Sequence, residues 1–278
     1  MPDPNKDPRA ALTVSRRRWT RRFGLRAIAA LVVASIAAVA LVAHAVWQTK
    51  LRARLIRADP DTVAEDIRLR DFAIGVGQPA YQRHCASCHG AQLQGDRSRG
   101  APNLADRDWL YGDGRVGQIE RTILHGIRSG DPKARNVAEM PGFAKPIPSL
   151  RYTLTPLTTA DIRDVVEYLL VSAGKPGDKA AASRGSVVFA NKGQCSDCHA
   201  KDARGDAAIG APNLIDDIWV SGDGSREAVY DIVARGSSGT CPAWGGQLDA
   251  GTIRALAVFV YLASHNGTPQ LASSVDAR

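Results

Sequence analysis

The 278-residue chain has a formal charge of +8, 44% hydrophobic residues and 6% aromatics, and its length suits one or two ordinary domains. Residues 1–57 hold twelve Lys/Arg against two Asp, whereas the remainder holds 24 basic and 26 acidic side chains. A basic excess gathered around one apolar segment reads as membrane topology and excludes a nucleic-acid surface on the folded part.

Residues 1–26 form a polar, basic tail that ends in Arg16, Arg17, Arg18, Arg21, Arg22 and Arg26. An apolar run follows from Ala27 to Trp47. As a helix it spans roughly 31 Å, the thickness of a bilayer core. The larger basic cluster is N-terminal, which predicts a cytoplasmic N-terminus, a single pass through a bacterial inner membrane and a periplasmic remainder. Trp47 suits an interfacial anchor, and His44 near the far end suits a snorkelling position. Ala43-His44-Ala45 and the Arg21-Arg22 pair also fit a cleaved leader. The run exceeds the about 7–15 residues of a leader's apolar core, which favours a retained anchor. Residues 48–70 are charged, with Asp59-Pro60-Asp61 breaking regularity. They read as a solvated linker.

Two C-x-x-C-H motifs dominate the rest: Cys85-Ala86-Ser87-Cys88-His89 and Cys195-Ser196-Asp197-Cys198-His199. Two thiols three residues apart lie on one face of a helical turn. Both can add to the vinyl groups of one porphyrin while the next His turns its imidazole to the iron, which is the attachment signature of haem c. A structural zinc site would place the C-x-x-C pairs roughly 15–20 residues apart and would leave the adjacent His unexplained. The expected cofactors are therefore two covalently bound haem c groups, held through Cys85, Cys88, Cys195 and Cys198 with His89 and His199 as proximal ligands.

The motifs sit in an internal repeat. Cys85 and Cys195 are 110 residues apart, and Gly100-Ala101-Pro102-Asn103-Leu104 recurs as Gly210-Ala211-Pro212-Asn213-Leu214 at the same offset. Trp109 and Gly112-Asp113-Gly114 match Trp219 and Gly222-Asp223-Gly224. The predicted fold is all-α: an N-terminal transmembrane helix, then two tandem class I-like cytochrome c domains at 71–174 and 179–267, then a tail at 268–278. Each domain is expected to begin with a helix carrying a Gly and a ring (Gly77 and Tyr81; Gly185 and Phe189), the Gly permitting close helix approach. A middle helix follows, around Val116–Gly126 or Arg226–Gly236. A final amphipathic helix closes each domain, with apolar positions at i, i+3, i+4, i+7 and i+8 from Ile162 and from Ile253. Thr159 and Asp249 are the predicted N-caps. Tyr168 and Tyr261 read as core aromatics.

A sixth iron ligand separates electron transfer from open-face chemistry. Met140, in Met140-Pro141-Gly142-Phe143, stands where a distal Met belongs and is assigned to the first haem. The second unit has no Met. Its matching position is Cys241, in Cys241-Pro242-Ala243-Trp244, after a loop nine residues shorter. The expectation is that Cys241 ligates the second iron as a thiolate and lowers its potential. The alternative is a buried thiol beside a five-coordinate or His-ligated haem. His125 and His265 read as surface or packing residues.

From Gln78 to His265 the chain resembles the dihaem subunit III (CcoP/FixP) of cbb3-type cytochrome c oxidases. The resemblance rests on the paired motifs above, on Asp108-Trp109-Leu110-Tyr111-Gly112, Gly126-Ile127-Arg128-Ser129, Met140-Pro141 and Cys241-Pro242-Ala243-Trp244, and on Val258-Phe259-Val260-Tyr261. It implies that Cys85, Cys88, His89 and Met140 hold one haem, that Cys195, Cys198 and His199 hold the other, and that both relay electrons from a donor toward a catalytic subunit. The family usually has Met where this chain has Cys241. Its longer, Pro- and Trp-rich entry to the membrane is not evident before Ala27. Both departures fit a paralogue serving a different electron-transfer chain. The expected partners are the membrane, a donor cytochrome or quinol-oxidising complex, and the catalytic subunits of an oxidase, with no nucleic acid. Two further readings follow from Cys241: an enzyme oxidising a sulfur compound such as thiosulfate at a Cys-ligated haem, and a redox or gas sensor.

Overall fold

The computed structural model describes residues 8–136, 138–148 and 153–266. The chain forms two compact bodies, residues 1–53 and 54–278. The predicted tail at 268–278 lies outside the described residues.

Among the described residues the first body is one helix, α1, which runs Pro8–Arg57 and gives its last turn to the second body. Its Ala27–Arg57 stretch is long and apolar enough to cross a membrane. Leu31, Val39 and Leu41 are each about 70% exposed. An unbroken helix satisfies its own backbone groups, and apolar side chains left bare on it suit lipid rather than water.

Among the described residues, the regular structure of the second body is helical apart from one pair of two-residue antiparallel strands. A 3-10 turn at Pro60–Glu65 leads into α2 (Ile67–His84) and α3 (Ala86–His89). Then come α4 (Val116–His125), strands β1 (Ile147–Pro148) and β2 (Thr153–Leu154), and α5 (Thr159–Ser172). The second repeat supplies α6 (Lys179–Val187), continued by a π turn at Val188–Lys192, then α7 (Ser196–His199), α8 (Arg226–Arg235) and α9 (Ala250–Asn266).

The repeats do not pack as two self-contained bodies; their last helices are exchanged. α5 packs chiefly on α6 and α8, while α9 packs on α2 and α4. The cause is the connection between α5 and α6. Only residues 173–178 join them, and a loop that short makes neighbouring helices an antiparallel hairpin. With α5 committed to α6, the first repeat lacks a closing helix, and α9 supplies it. The two expected Gly positions mark the contacts. A Cβ on Gly77 would strike the Ala255 carbonyl, and one on Gly185 would strike the Asp164 carbonyl. The rings pack beside them, with Tyr81 5.6 Å from Phe259 and Tyr168 5.2 Å from Phe189 between centroids. α9 is buried almost all round, as a central helix must be.

Residues 54–70 are not the solvated linker that their charge suggests. Leu55 and Val63 are fully buried. Asp59 accepts a hydrogen bond from the Asp61 N–H, and Pro60 opens a 3-10 turn instead of breaking regularity. Asp66 accepts from the N–H groups of Arg68 and Leu69, which caps α2. From α9, Arg254 donates to the Leu55 carbonyl (3.2 Å) and the Ala58 carbonyl (2.8 Å) and pairs with Glu120 at 2.7 Å.

The N-cap of α5 is Thr158, one residue before the predicted Thr159. Its side chain accepts from the Asp161 N–H, and Asp161 reaches back to the Thr158 N–H, completing a capping box. Asp249 caps α9 by accepting from Gly251 and Thr252 N–H groups. Asp161 also binds Lys192 after α6, and this contact, with Thr158, holds its carboxyl down at about 2. A carboxylate depressed in the folded state stabilises above its unfolded pKa of about 3.9, and that contribution is lost as pH falls toward 2. Asp161→Asn should cost about 1–2 kcal/mol at neutral pH, from the cap. It should also remove part of the acid sensitivity between about pH 4 and 2. Urea melts of both proteins at pH 7 and pH 3 check this, and equal stability gaps at the two pH values would refute it.

Candidate functional site

Each C-x-x-C-H motif occupies one short helical turn, α3 or α7. The turns are closed by backbone bonds from the His89 N–H to the Cys85 carbonyl (2.9 Å) and from the His199 N–H to the Cys195 carbonyl (2.9 Å). The loop of each Gly-Ala-Pro-Asn-Leu copy returns beneath its own motif. His89 donates from Nδ1 to the Pro102 carbonyl at 2.9 Å, and His199 does the same to Pro212 at 3.0 Å. That bond fixes the tautomer and leaves the Nε2 lone pair free for a metal. Burial holds both imidazoles below their ordinary pKa, against the opposing pull of the prolyl carbonyls. Both are therefore neutral at pH 7, the form that ligates iron.

In each motif the first thiol is shielded and the second, Cys88 or Cys198, is exposed. Burial pushes Cys85 and Cys195 up to about 12, with the neighbouring Cys241 and Cys88 adding to the shift at Cys85. One buried polar atom points to a bound group. Among the described residues, Trp219 Nε1 is the buried side-chain donor without a partner. Leaving such a donor unmatched costs about 1–3 kcal/mol. Trp219 packs on the same apolar cluster as Cys195, together with Phe189, Leu169 and Val229. A porphyrin seated on Cys195 and Cys198 would bring carboxylate acceptors, so the residues fit the group.

The two candidate sixth ligands are placed opposite to expectation. Cys241 lies beside Cys85 and Cys88 of the first motif, and burial, with the neighbouring Cys88, pushes its thiol up to about 11. Trp244, three residues on, packs edge-on to His84 at 5.1 Å. Met140 instead packs on the cluster that carries Cys195. Met140 thus stands at the second motif and Cys241 at the first.

Backbone pairing enforces the crossing, and it does so symmetrically. Ile127 and Cys241 exchange two hydrogen bonds, of 2.9 and 3.0 Å, and Ser237 donates to the Met140 carbonyl at 3.0 Å. The last carbonyls of α4, at Ile123 and Leu124, accept from Trp244 and Gly245. Those of α8, at Val233 and Ala234, accept from Phe143 and Ala144. Helix C-termini leave such carbonyls without partners, and here the opposite repeat satisfies them. Gly126 and Gly236 end these helices at φ of 75° and 85°. A Cβ there would collide with the Cys241 carbonyl in one case and the Met140 carbonyl in the other.

The remaining candidates fall elsewhere. His125 pairs with Asp131 at 3.2 Å. His265 stacks on Tyr261 with ring centroids 4.2 Å apart. Sequence reasoning missed the roles of Trp219 and of Arg128, which occupies the crossing point. For Trp219 the signal was its match to Trp109 in the repeat; for Arg128 it was the Gly-Ile-Arg-Ser quartet.

Comparison with known proteins agrees with this geometry. Residues 76–172 match the cytochrome c family, and residues 180–260 match the family described as cytochrome c oxidase, cbb3-type, subunit III. The chain is 36% identical over 210 residues to the cbb3-type oxidase subunit FixP of Azorhizobium caulinodans, covering 75% of this chain and 66% of the relative. It is 37% identical to FixPc of Rhizobium leguminosarum bv. viciae, covering 77% and 69%, and 35% identical to CcoP of Cereibacter sphaeroides, covering 76% and 68%. The chain thus spans about two thirds of the length of these relatives. They lend no support to the sulfur-oxidising alternative. With two haem c motifs, a membrane-anchoring helix and this kinship, the chain belongs to the CcoP/FixP family, subunit III of cbb3-type cytochrome c oxidases.

Proposed function

We propose that the protein is a tethered two-centre electron relay facing the periplasm. It takes electrons from a donor cytochrome or quinol-oxidising complex and delivers them to the catalytic subunits of an oxidase. The basic residues ahead of Ala27 support a cytoplasmic N-terminus. Tethering keeps the relay at high effective concentration near membrane partners. Cys85, Cys88, His89 and Cys241 hold the first haem, and Cys195, Cys198, His199 and Met140 hold the second.

The carrying observation is that each motif, its His bonded through Nδ1 to a prolyl carbonyl, lies near a strand of the other repeat: Cys241 beside Cys85 and Cys88, and Met140 on the cluster that carries Cys195. Bound haem supplies a one-electron iron couple at each site. Cys85 and Cys88, or Cys195 and Cys198, would anchor it, His89 or His199 would hold the iron with its ring oriented through Pro102 or Pro212, and Cys241 or Met140 would offer a further sulfur ligand. Thioether ligation at Met140 would raise a potential; at Cys241 the bound iron would displace the thiol proton, and the thiolate so formed would lower one. The low-potential member of the pair is then the first centre.

Co-purification with oxidase catalytic subunits, and oxidation of the reduced relay by them, tests the role. The ligand assignment has its own test. Cys241→Met should raise the potential of the first centre by roughly a hundred millivolts or more, within the about 0.8 V that axial ligands span. It should leave the second centre in place. Cys241→Ala should abolish a thiolate-type low-spin resonance at the first centre. A change confined to the second centre would refute the crossed assignment.

A further inference from the structure

Arg128 is the residue where the two halves meet. It stands two residues after the positive-φ Gly126 and itself adopts φ 50°, a left-handed conformation uncommon for a residue with a side chain. Two contacts hold that backbone: Arg128 N–H donates to the Arg135 carbonyl at 3.3 Å, and Arg135 N–H donates to the Gly126 carbonyl at 3.1 Å. The guanidinium then reaches two segments more than a hundred residues apart. Nε donates to the Gly239 carbonyl at 2.7 Å, Nη2 donates to the same oxygen, and Nη1 donates to the Ala138 carbonyl at 2.9 Å.

These two carbonyls hold equivalent places. Ala138 stands two residues before Met140, and Gly239 stands two residues before Cys241. One planar fork therefore fixes the approach to both distal sulfurs in the same register. The repeat has no second fork, because the residue matching Arg128 at the 110-residue offset is Ser238. The nine extra residues of the first loop give Arg128 the cradle that Ser238 lacks. A lysine could not do the same, since an ammonium is a point donor without the guanidinium's spread of rigid N–H groups.

We propose that Arg128 is a positioning residue that couples the two centres, setting the sixth-ligand strand of each haem through a single guanidinium. This rests on the ligand reading above. It adds that the two sites are built together: a change at the fork is felt at both irons, and loosening one distal strand shifts the other. Charge-assisted hydrogen bonds of this kind are the strong ones. Losing the fork should move the ratio of unligated to ligated sulfur roughly tenfold or more at each centre.

The test uses the full-length holoprotein in detergent, oxidised, with Arg128→Gln and Arg128→Lys. The readouts are the near-infrared charge-transfer band of Met-ligated ferric haem, the low-spin paramagnetic resonances of both centres, and both reduction potentials. The expected result is joint loss: the Met band weakens, the first centre's low-spin signal falls, and both potentials move, in Arg128→Lys as well as in Arg128→Gln. Met140→Ala and Cys241→Ala serve as references, each removing its own centre's signal. If those two change nothing, the ligand reading fails. If they act as expected and Arg128→Gln leaves either centre untouched, the coupling proposal fails. Full retention of both signals in Arg128→Lys also overturns it, since charge alone would then suffice. Arg254→Gln, which removes a guanidinium near the start of α9 that binds Glu120, Leu55 and Ala58 and neither sulfur strand, should lower stability and leave both signals intact. The same joint loss there would reduce Arg128 to general destabilisation. If Arg128→Gln yields no holoprotein, the Lys variant decides.

Discussion

A chain ended after Pro176 will not fold its own repeat. It keeps the first C-x-x-C-H motif, α2, α4 and α5, everything that a self-contained cytochrome domain at 71–174 would need. In the structure that repeat is closed by α9 from the far end of the chain. Ile253, Leu256, Val258, Phe259, Val260 and Leu262 on α9 are each at most 5% exposed. At about 1.5–3 kcal/mol per buried side chain, losing them removes on the order of 10 kcal/mol. That is the whole stability of an ordinary domain, about 5–15 kcal/mol. The stripe from Ile162 to Leu170 on α5 would also lose α6 and α8 and lie bare. The truncated chain should show no cooperative thermal transition and no low-spin haem. A sharp melt with bound, six-coordinate haem would show that each repeat closes itself.

Gly185→Val should be nearly as damaging. A Cβ at residue 185 falls on the Asp164 carbonyl, backbone that no side-chain rotation can clear. α5 and α6 would have to separate along their length, pulling Phe189 from Tyr168 and opening the cluster around Cys195. Forcing volume into packed helices costs about 1–3 kcal/mol, more where backbone must shift. A loss of about 3 kcal/mol lowers the melting temperature of a body this size by roughly 6–12 °C. The damage should concentrate at the second centre, read as loss of the Met-ligated band before the first centre's signal. Gly77→Val should invert that order, because its clash is with Ala255 on α9. Equal losses at both centres in both variants would argue against this division of labour.

Much of this was legible in the residues. The motifs name the cofactor because thiol spacing and the adjacent His leave little else to do. The 110-residue offset exposes the repeat, and the apolar stripes from Ile162 and Ile253 are the faces that the structure buries. Partner choice was hidden. Gly77 with Tyr81 and Gly185 with Phe189 present nearly the same surface, and either final helix offers a matching stripe. Local pattern cannot distinguish two interchangeable docks. The discriminating signal was the connection at 173–178, too short for α5 to lie anywhere but against α6. Once α5 is committed, the crossing of Met140 and Cys241 follows. Residues 54–70 misled for a different reason: their charges are capping groups and ion pairs, as with Asp59, Asp66 and Arg54, and composition reads these as solvation.

The exchange of closing helices also sets a timetable. The chain is made from its amino end, so the leading haem motif emerges early, but the helix that seals it is synthesised only after the trailing motif. The trailing motif has α5 waiting before it appears. The centre encoded first is therefore finished last, and throughout that interval its porphyrin pocket stands open to the machinery that fastens haem to thiols.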